Sequence, residues 1–144
     1  MDDSSRHTTA FLESLQHAVR QLGDVRNHYQ RLATGPDRPY LVLSSYPFRV
    51  HEKSTVREFN GSVAIGLHVR GADSKEYELG IDILWDSERW TLITEAWVEA
   101  DEGGQNLLRK LPERTASDSE GCRRELTSAV ADLFKFDDLV PRKS

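Results

Sequence analysis

The sequence predicts an α+β fold, in which an N-terminal and a C-terminal helix pack on one face of an antiparallel meander of four to five strands. Apolar side chains recur at helical spacing near both ends of the chain, and three central segments alternate apolar with polar residues. Turn residues separate these segments. Because each helix has one apolar stripe and the sheet has one apolar face, both helices are expected on that face.

The first helix is predicted over residues 9–33. Its apolar side chains follow alternating steps of four and three: Phe11, Leu15, Ala18, Leu22, Val25, Tyr29 and Leu32. Thr8 or Thr9 is expected to cap its start, and Gly35-Pro36 is expected to end it. The same spacing permits a coiled-coil homodimer, which remains an alternative to packing on the chain's own sheet.

Residues 40–51 are predicted to form the first strand, which Pro47 confines to a sheet edge or a bulge. The pair Asn60-Gly61 is the strongest short hairpin signal in the chain. A hairpin turn is therefore predicted at this pair.

The next three strands alternate over residues 63–69, 77–85 and 90–98. Folding them about turns near Asp73 and at Ser87-Glu88 places all three apolar sets on one face without a slip in register. The residues expected in the core are Leu22, Ile65, Leu67, Ile81, Ile83, Leu92 and Leu126.

The C-terminal third begins with a predicted turn at residues 101–104, and residues 106–111 fit either a fifth strand or a short helical turn. Ser117 and Glu120 have the spacing of a capping box before the second helix. The inner stripe of that helix is expected to contain Cys122, Leu126, Ala129, Val130, Leu133 and Phe134. One domain is predicted over 1–144, with its core at about 9–136 and loose tails at both ends.

Composition excludes several classes of function. The net charge of -5 disfavours nonspecific nucleic-acid binding, which depends on clustered Lys and Arg. No apolar run approaches the ~20 residues that cross a bilayer. Cys122 is the only cysteine, so an internal disulfide is excluded, and the acidic, polar N-terminus does not resemble a secretory signal. A cytoplasmic location is expected.

Acidic residues are concentrated in one part of the chain. Residues 76–102 hold nine acidic residues and one basic residue, a net charge of -8, so the rest of the chain sums to +3. The simpler interpretation is a solvated sheet face. The alternative is a docking surface for a cationic partner, because a field of one sign speeds association.

The predicted register gives this face its detail. Gly66 lies opposite Gly80, and two facing glycines leave a shallow hollow. Glu95 completes that row, and the row beside it contains His68, Glu78 and Trp97. The candidate partner-binding residues are His68, Glu76, Glu78, Asp82, Glu95, Trp97 and Glu99. An outward Trp is typical of interface hot spots, although a covering segment would make it structural.

Catalytic and metal chemistry have weaker support. His68, Asp82 and Glu95 come from adjacent strands, with no second His at ligand spacing and no evident concave pocket. The sequence lacks a phosphate loop and the common hydrolase, redox and zinc motifs. Cys122 is interpreted as a core residue, and His17 and His28 as exposed helix positions. No catalytic residue, metal or cofactor is predicted.

The sequence therefore favours a non-enzymatic module that binds another protein with a basic surface, as an immunity protein, dedicated chaperone or regulatory subunit does. The alternative is a small-ligand-binding or enzymatic domain with a pocket between the first helix and the sheet. Tyr29, Trp85 and Trp90 would line that pocket.

Overall fold

The computed structural model describes residues 3–33, 39–51, 58–85 and 89–143. It confirms the predicted α+β fold, in which an antiparallel sheet is preceded along the chain by an N-terminal helix and followed by a C-terminal helix. The elements in chain order are α1 (Asp3–Leu32), β1 (Tyr40–His51), β2 (Glu58–Arg70), β3 (Glu76–Trp85), β4 (Trp90–Glu99), β5 (Gln105–Lys110), β6 (Arg114–Ala116) and α2 (Ser119–Asp132). A 3₁₀ helix, Leu133–Phe136, follows α2 directly. The strand order is β1-β2-β3-β4-β5, and β6 pairs with β4.

The core lies between the helices and one face of the sheet, here called the inner face. Ile65 pairs with Ile81, and Ile81 with Thr94, which is the predicted register. None of the seven predicted core residues is more than 2% exposed. The register is strongly determined, because a slip of one residue would turn every apolar side chain of a strand toward solvent.

Helix α1 is longer than predicted. It begins at Asp3, so Thr8 and Thr9 lie within the helix and their prediction as caps is wrong. The predicted stop at Gly35-Pro36 lies outside the described residues. The middle of the apolar stripe is fully buried in the chain's own core, at Ala18, Leu22, Val25 and Tyr29. No helix in the described part of the chain is long and apolar enough to cross a membrane.

The first strand pair corrects one turn prediction. β1 is an edge strand with a register shift between Tyr46 and Arg49, as Pro47 predicts. Asn60-Gly61 does not form a turn, because both residues lie inside β2. The β1–β2 ladder continues past them to the pair His51 and Glu58, so their connection falls at 52–57, outside the described residues. The predicted Ser87-Glu88 turn also lies outside them.

For residues 106–111 the sequence left two alternatives, a fifth strand or a short helical turn, and the structure has the strand. Residues 101–104 form the expected turn, with positive φ at Gly103 and Gly104, and the following segment is the strand β5. β6 was not predicted; it pairs with β4 beyond an interruption at Pro112.

Helix α2 starts and ends differently from the prediction. Its N-cap is Asp118 rather than Ser117, and the Asp118 carboxylate accepts a hydrogen bond from the Gly121 amide at 2.6 Å. The prediction that Phe134 faces inward is also wrong. The chain becomes a 3₁₀ helix at Leu133, and a repeat of three residues per turn turns Leu133 and Phe136 inward. Phe134 is left 36% exposed.

The C-terminal segment was predicted to be loose but is bonded at two points. The Pro141 carbonyl accepts from the Ala72 amide at 3.1 Å, and the Lys143 amide donates to the Leu32 carbonyl at 2.9 Å. His28, predicted to be exposed, instead lies with its Nε2 2.7 Å from an Asp137 carboxylate oxygen. This segment therefore joins the end of α1 to the β2–β3 turn.

Candidate functional site

The sheet face opposite the helices, here called the outer face, carries all seven predicted site residues. In the observed register Gly66 pairs with Gly80 and Gly80 with Glu95. In the adjacent row His68 pairs with Glu78 and Glu78 with Trp97. Alternation places the remaining three on the same face: Glu76, Asp82 and Glu99.

The described residues leave this face open. Asp82 and Glu99 are exposed, and the side chains of Glu76 and Glu78 are 41% and 33% exposed to solvent. Trp97 is half-buried. The described part of the chain thus gives no support to the alternative in which another segment covers the face.

A shallow hollow lies at the centre of the outer face. A Cβ on Gly66 would stand 2.5 Å from the Leu79 carbonyl oxygen and 2.9 Å from the Gly80 Cα. The close approach of the two backbones therefore requires glycine at position 66, whereas a Cβ on Gly80 would meet only the Ile65 carbonyl oxygen, at 3.4 Å. The hollow above them has a volume of about 40 Å³, and Glu78, Asp82, Glu95 and Trp97 stand around it.

The carboxylates around the hollow lack full compensation. Desolvation, followed by repulsion from Glu78, raises the pKa of Asp82 above its ordinary value. Desolvation and then repulsion from Asp82 raise the pKa of Glu95, although Lys110 acts in the opposite direction. Ionised carboxylates crowded on this face disfavour one another, so a cation docked here would relieve that repulsion.

His68 is held between an aromatic ring and two carboxylates. The Tyr40 ring stacks on its imidazole with centroids 4.9 Å apart and planes 14° apart. Nδ1 lies 3.8 Å from a Glu76 oxygen, and Nε2 lies 3.6 Å from a Glu78 oxygen. Nδ1 is buried and has no hydrogen-bond partner among the described residues. His68 thus forms part of the surface at the Glu76 end of the outer face.

Sequence reasoning missed three residues that complete the face. Gln105 donates from its side-chain nitrogen to Glu78 at 2.7 Å, and Leu107, which is 46% exposed, pairs with Trp97. Tyr40 comes from β1. Alternation within each strand was the available signal, but β1 had no assigned register and the β5 prediction remained open. The bulge in the β4–β5 ladder also interrupts simple alternation.

Metal binding and thiol chemistry were the other possibilities considered from the sequence. The described residues include no group of His, Cys, Asp and Glu side chains arranged to hold a metal ion. Cys122 is buried, and desolvation raises the pKa of its thiol to about 11.

The aromatics assigned to a ligand pocket belong to the core. Tyr29 is fully buried and donates its hydroxyl to the Leu133 carbonyl at 2.5 Å. Trp90 is 6% exposed and stacks with Trp85 at a centroid distance of 6.1 Å. Tyr29 and Trp90 are thus part of the hydrophobic core, and Trp85 packs against it.

Comparison with known proteins finds no matching family model, no matching curated protein and no matching solved structure, so the geometry of the outer face is the basis for assigning a function.

Proposed function

We propose that this chain is a non-enzymatic protein-interaction module that binds a partner with a basic surface through the outer face. The observation that carries the proposal is an open sheet face on which five carboxylates surround a half-buried Trp97. These carboxylates are Glu76, Glu78, Asp82, Glu95 and Glu99. An immunity protein, a dedicated chaperone or a regulatory subunit would use such a face.

Away from the outer face, structural carboxylates on α2 form ion pairs with basic side chains. Arg114 donates to Asp132 at 2.8 Å and to Glu125 at 3.0 Å, and Lys135 lies 2.9 Å from Asp132. Those carboxylates are neutralised within the fold. On the outer face Arg70 lies 3.4 Å from Glu76, but no ion pair is found for Asp82 within the described part of the chain. The Lys110 ammonium lies 3.3 Å from Glu113 rather than on Glu95.

Charge complementarity supports a basic partner. The outer face is predominantly acidic, with the basic residues Arg70 and Lys110 in register with Glu76 and Glu95. Such a surface steers an oppositely charged partner and speeds encounter, while rejecting acidic competitors. Electrostatic steering speeds encounter but does not hold the partner. Trp97 provides an apolar anchor, and because it is half-buried it is partly immobilised before binding. Together with Leu107, it gives the partner apolar area to bury among the carboxylates.

The partner is found by photo-crosslinking from a defined position. A photoreactive amino acid replaces Leu107 on the outer face or, as a control, Leu12 on α1, which is 54% exposed. We expect a partner with a basic surface to crosslink from position 107 and not from position 12. Crosslinking of the same protein from both positions would contradict docking through the outer face.

Binding kinetics with the purified partner then test the roles of the residues. Trp97→Ala should weaken binding by about 2 kcal/mol, or roughly 30-fold, as a lost anchor. Glu78→Lys and Glu95→Lys should slow association and reduce its salt dependence, because these half-buried charges still reach solvent and act through a screened field. Glu13→Lys on exposed α1 is the control, with the same change of charge. Unchanged binding in all three outer-face variants, with the fold retained, would refute the proposal.

A further inference from the structure

The hollow on the outer face is sized for one side-chain head group. A site of this kind needs ~10–15 Å³ to hold a water molecule, so 40 Å³ accommodates about three. Pockets for small-molecule ligands begin at ~300 Å³. The occupant is therefore a small group carried into the hollow by something larger, rather than a free metabolite.

The shape of the hollow follows from the sheet. Gly66 and Gly80 form its floor, and Glu78 and Asp82 stand two residues to either side of Gly80 on β3. Their Cα atoms are ~13 Å apart at the usual rise of a strand. Trp97 and Glu95 rise on the β4 side. The hollow is thus a short trough with an acidic group at each end and an indole beside it.

Building on the proposed docking function, we infer that this hollow receives the guanidinium of one arginine from the partner. A guanidinium is planar, stacks on an aromatic ring and donates to carboxylates through several N–H groups at once. A lysine ammonium is a compact point charge that is more strongly hydrated, so it would use the indole and the separated carboxylates less well. The described side chains offer no arrangement for a metal ion.

The binding test uses the whole chain and small blocked amino acids as probes. N-acetyl-arginine methylamide is titrated while the backbone amides of Gly66 and Gly80 and the indole N–H of Trp97 are followed by NMR. We expect saturable shifts at these three groups. The lysine analogue should bind about fivefold more weakly or worse. The citrulline analogue, which has nearly the same shape without the charge, should produce no saturable shift.

Filling the hollow gives the matching variant. A methyl group at position 80 would stand 3.4 Å from the Ile65 carbonyl oxygen, an ordinary contact, so Gly80→Ala should fold while occupying the trough. It should weaken the arginine probe about tenfold. Gly23→Ala, whose added methyl meets nothing within 4 Å, is the control. Arginine shifts that persist in Gly80→Ala, or that equal those of lysine, would overturn the arginine site.

Failure of this site is distinguishable from failure of the docking function. If Gly80→Ala leaves partner binding unchanged while Trp97→Ala and Glu95→Lys still weaken it, the face binds the partner but the hollow holds no arginine. If all of these variants bind normally, both proposals fail. Loss of partner binding in Gly80→Ala and retention in Gly23→Ala support the arginine site.

Discussion

The two faces of the sheet differ in the burial of their side chains. Along β3, Ile81 points inward and is 1% exposed, whereas its neighbour Asp82 points outward and is exposed. The side chains of the inner face are buried in the core and contribute to stability. The outer face has no described element packed over it. Its side chains are therefore available for recognition, and their replacement should change stability far less.

The largest expected difference concerns a matched pair of isoleucines on neighbouring strands. Ile81→Ala, on the inner face, should lower the free energy of unfolding by ~2–5 kcal/mol, because it leaves a cavity in a packed core. Ile93→Ala, half-buried opposite Asp82 on the outer face, should cost about 1 kcal/mol. Urea unfolding measures both. Equal losses would mean that the outer face is packed as tightly as the inner one.

Two glycines on the outer face sharpen the comparison within that face. Gly66→Ala should destabilise by ~1–3 kcal/mol, since the added Cβ would overlap the Leu79 carbonyl and only a shift of the backbone can relieve it. Gly80→Ala should be neutral within ~0.5 kcal/mol, because its methyl enters the hollow and the unfolded chain loses freedom. Thermal unfolding distinguishes them. A neutral Gly66→Ala would show that β2 and β3 are farther apart than described.

Two histidines extend the comparison to polar groups. His28→Ala should cost ~1–2 kcal/mol, because it removes the hydrogen bond to Asp137 and edge contacts with Tyr29 and Phe134. His68→Ala should cost ~0.5 kcal/mol, mostly from the stack on Tyr40. Chemical denaturation of the two variants gives the ranking. The reverse ranking would mean that His68 serves the fold more than the outer face.

The smallest effect is a dependence on pH that has opposite signs in the two regions. Because the pKa of Asp82 is raised, the folded state binds its proton more tightly, and this term favours folding more as pH falls. Burial alone would raise the pKa of Asp132, but hydrogen bonds from Lys135 and Arg114 lower it. Its contribution is full above the ordinary value of about 3.9 and is lost as pH falls through the lowered pKa.

The comparison of Asp82→Asn with the wild-type chain measures the outer-face term, which includes the repulsion by which Asp82 raises the pKa of Glu95. As pH falls from 7 toward the ordinary carboxyl value of about 3.9, the wild-type chain should gain more stability than the variant. Urea unfolding at several pH values measures the difference. A wild-type chain that gains less than the variant would reverse the sign assigned to Asp82.

Alternation, together with the turn signals between the strands, determined β3, β4 and residues 63–69 of β2, their register and the side of the sheet that each residue occupies. This pattern is local and repeats every two residues, so Ile65, Ile81 and Leu92 could be assigned to the core without knowing any distant contact. For the same reason the Gly66–Gly80 hollow and the position of Trp97 followed from the sequence.

Only the tertiary structure decided the features that depend on distant partners. Asn60-Gly61 has the residues of a turn, but the ladder with β1 continues past it, and pairing there outweighs local preference. Asp118 rather than Ser117 caps α2, and the C-terminal segment is fixed by bonds to Leu32 and Ala72. The openness of the outer face belongs to this group as well. Whether another element covers a polar sheet face depends on where that element finds its own apolar contacts, and α1 and α2 find theirs on the inner face.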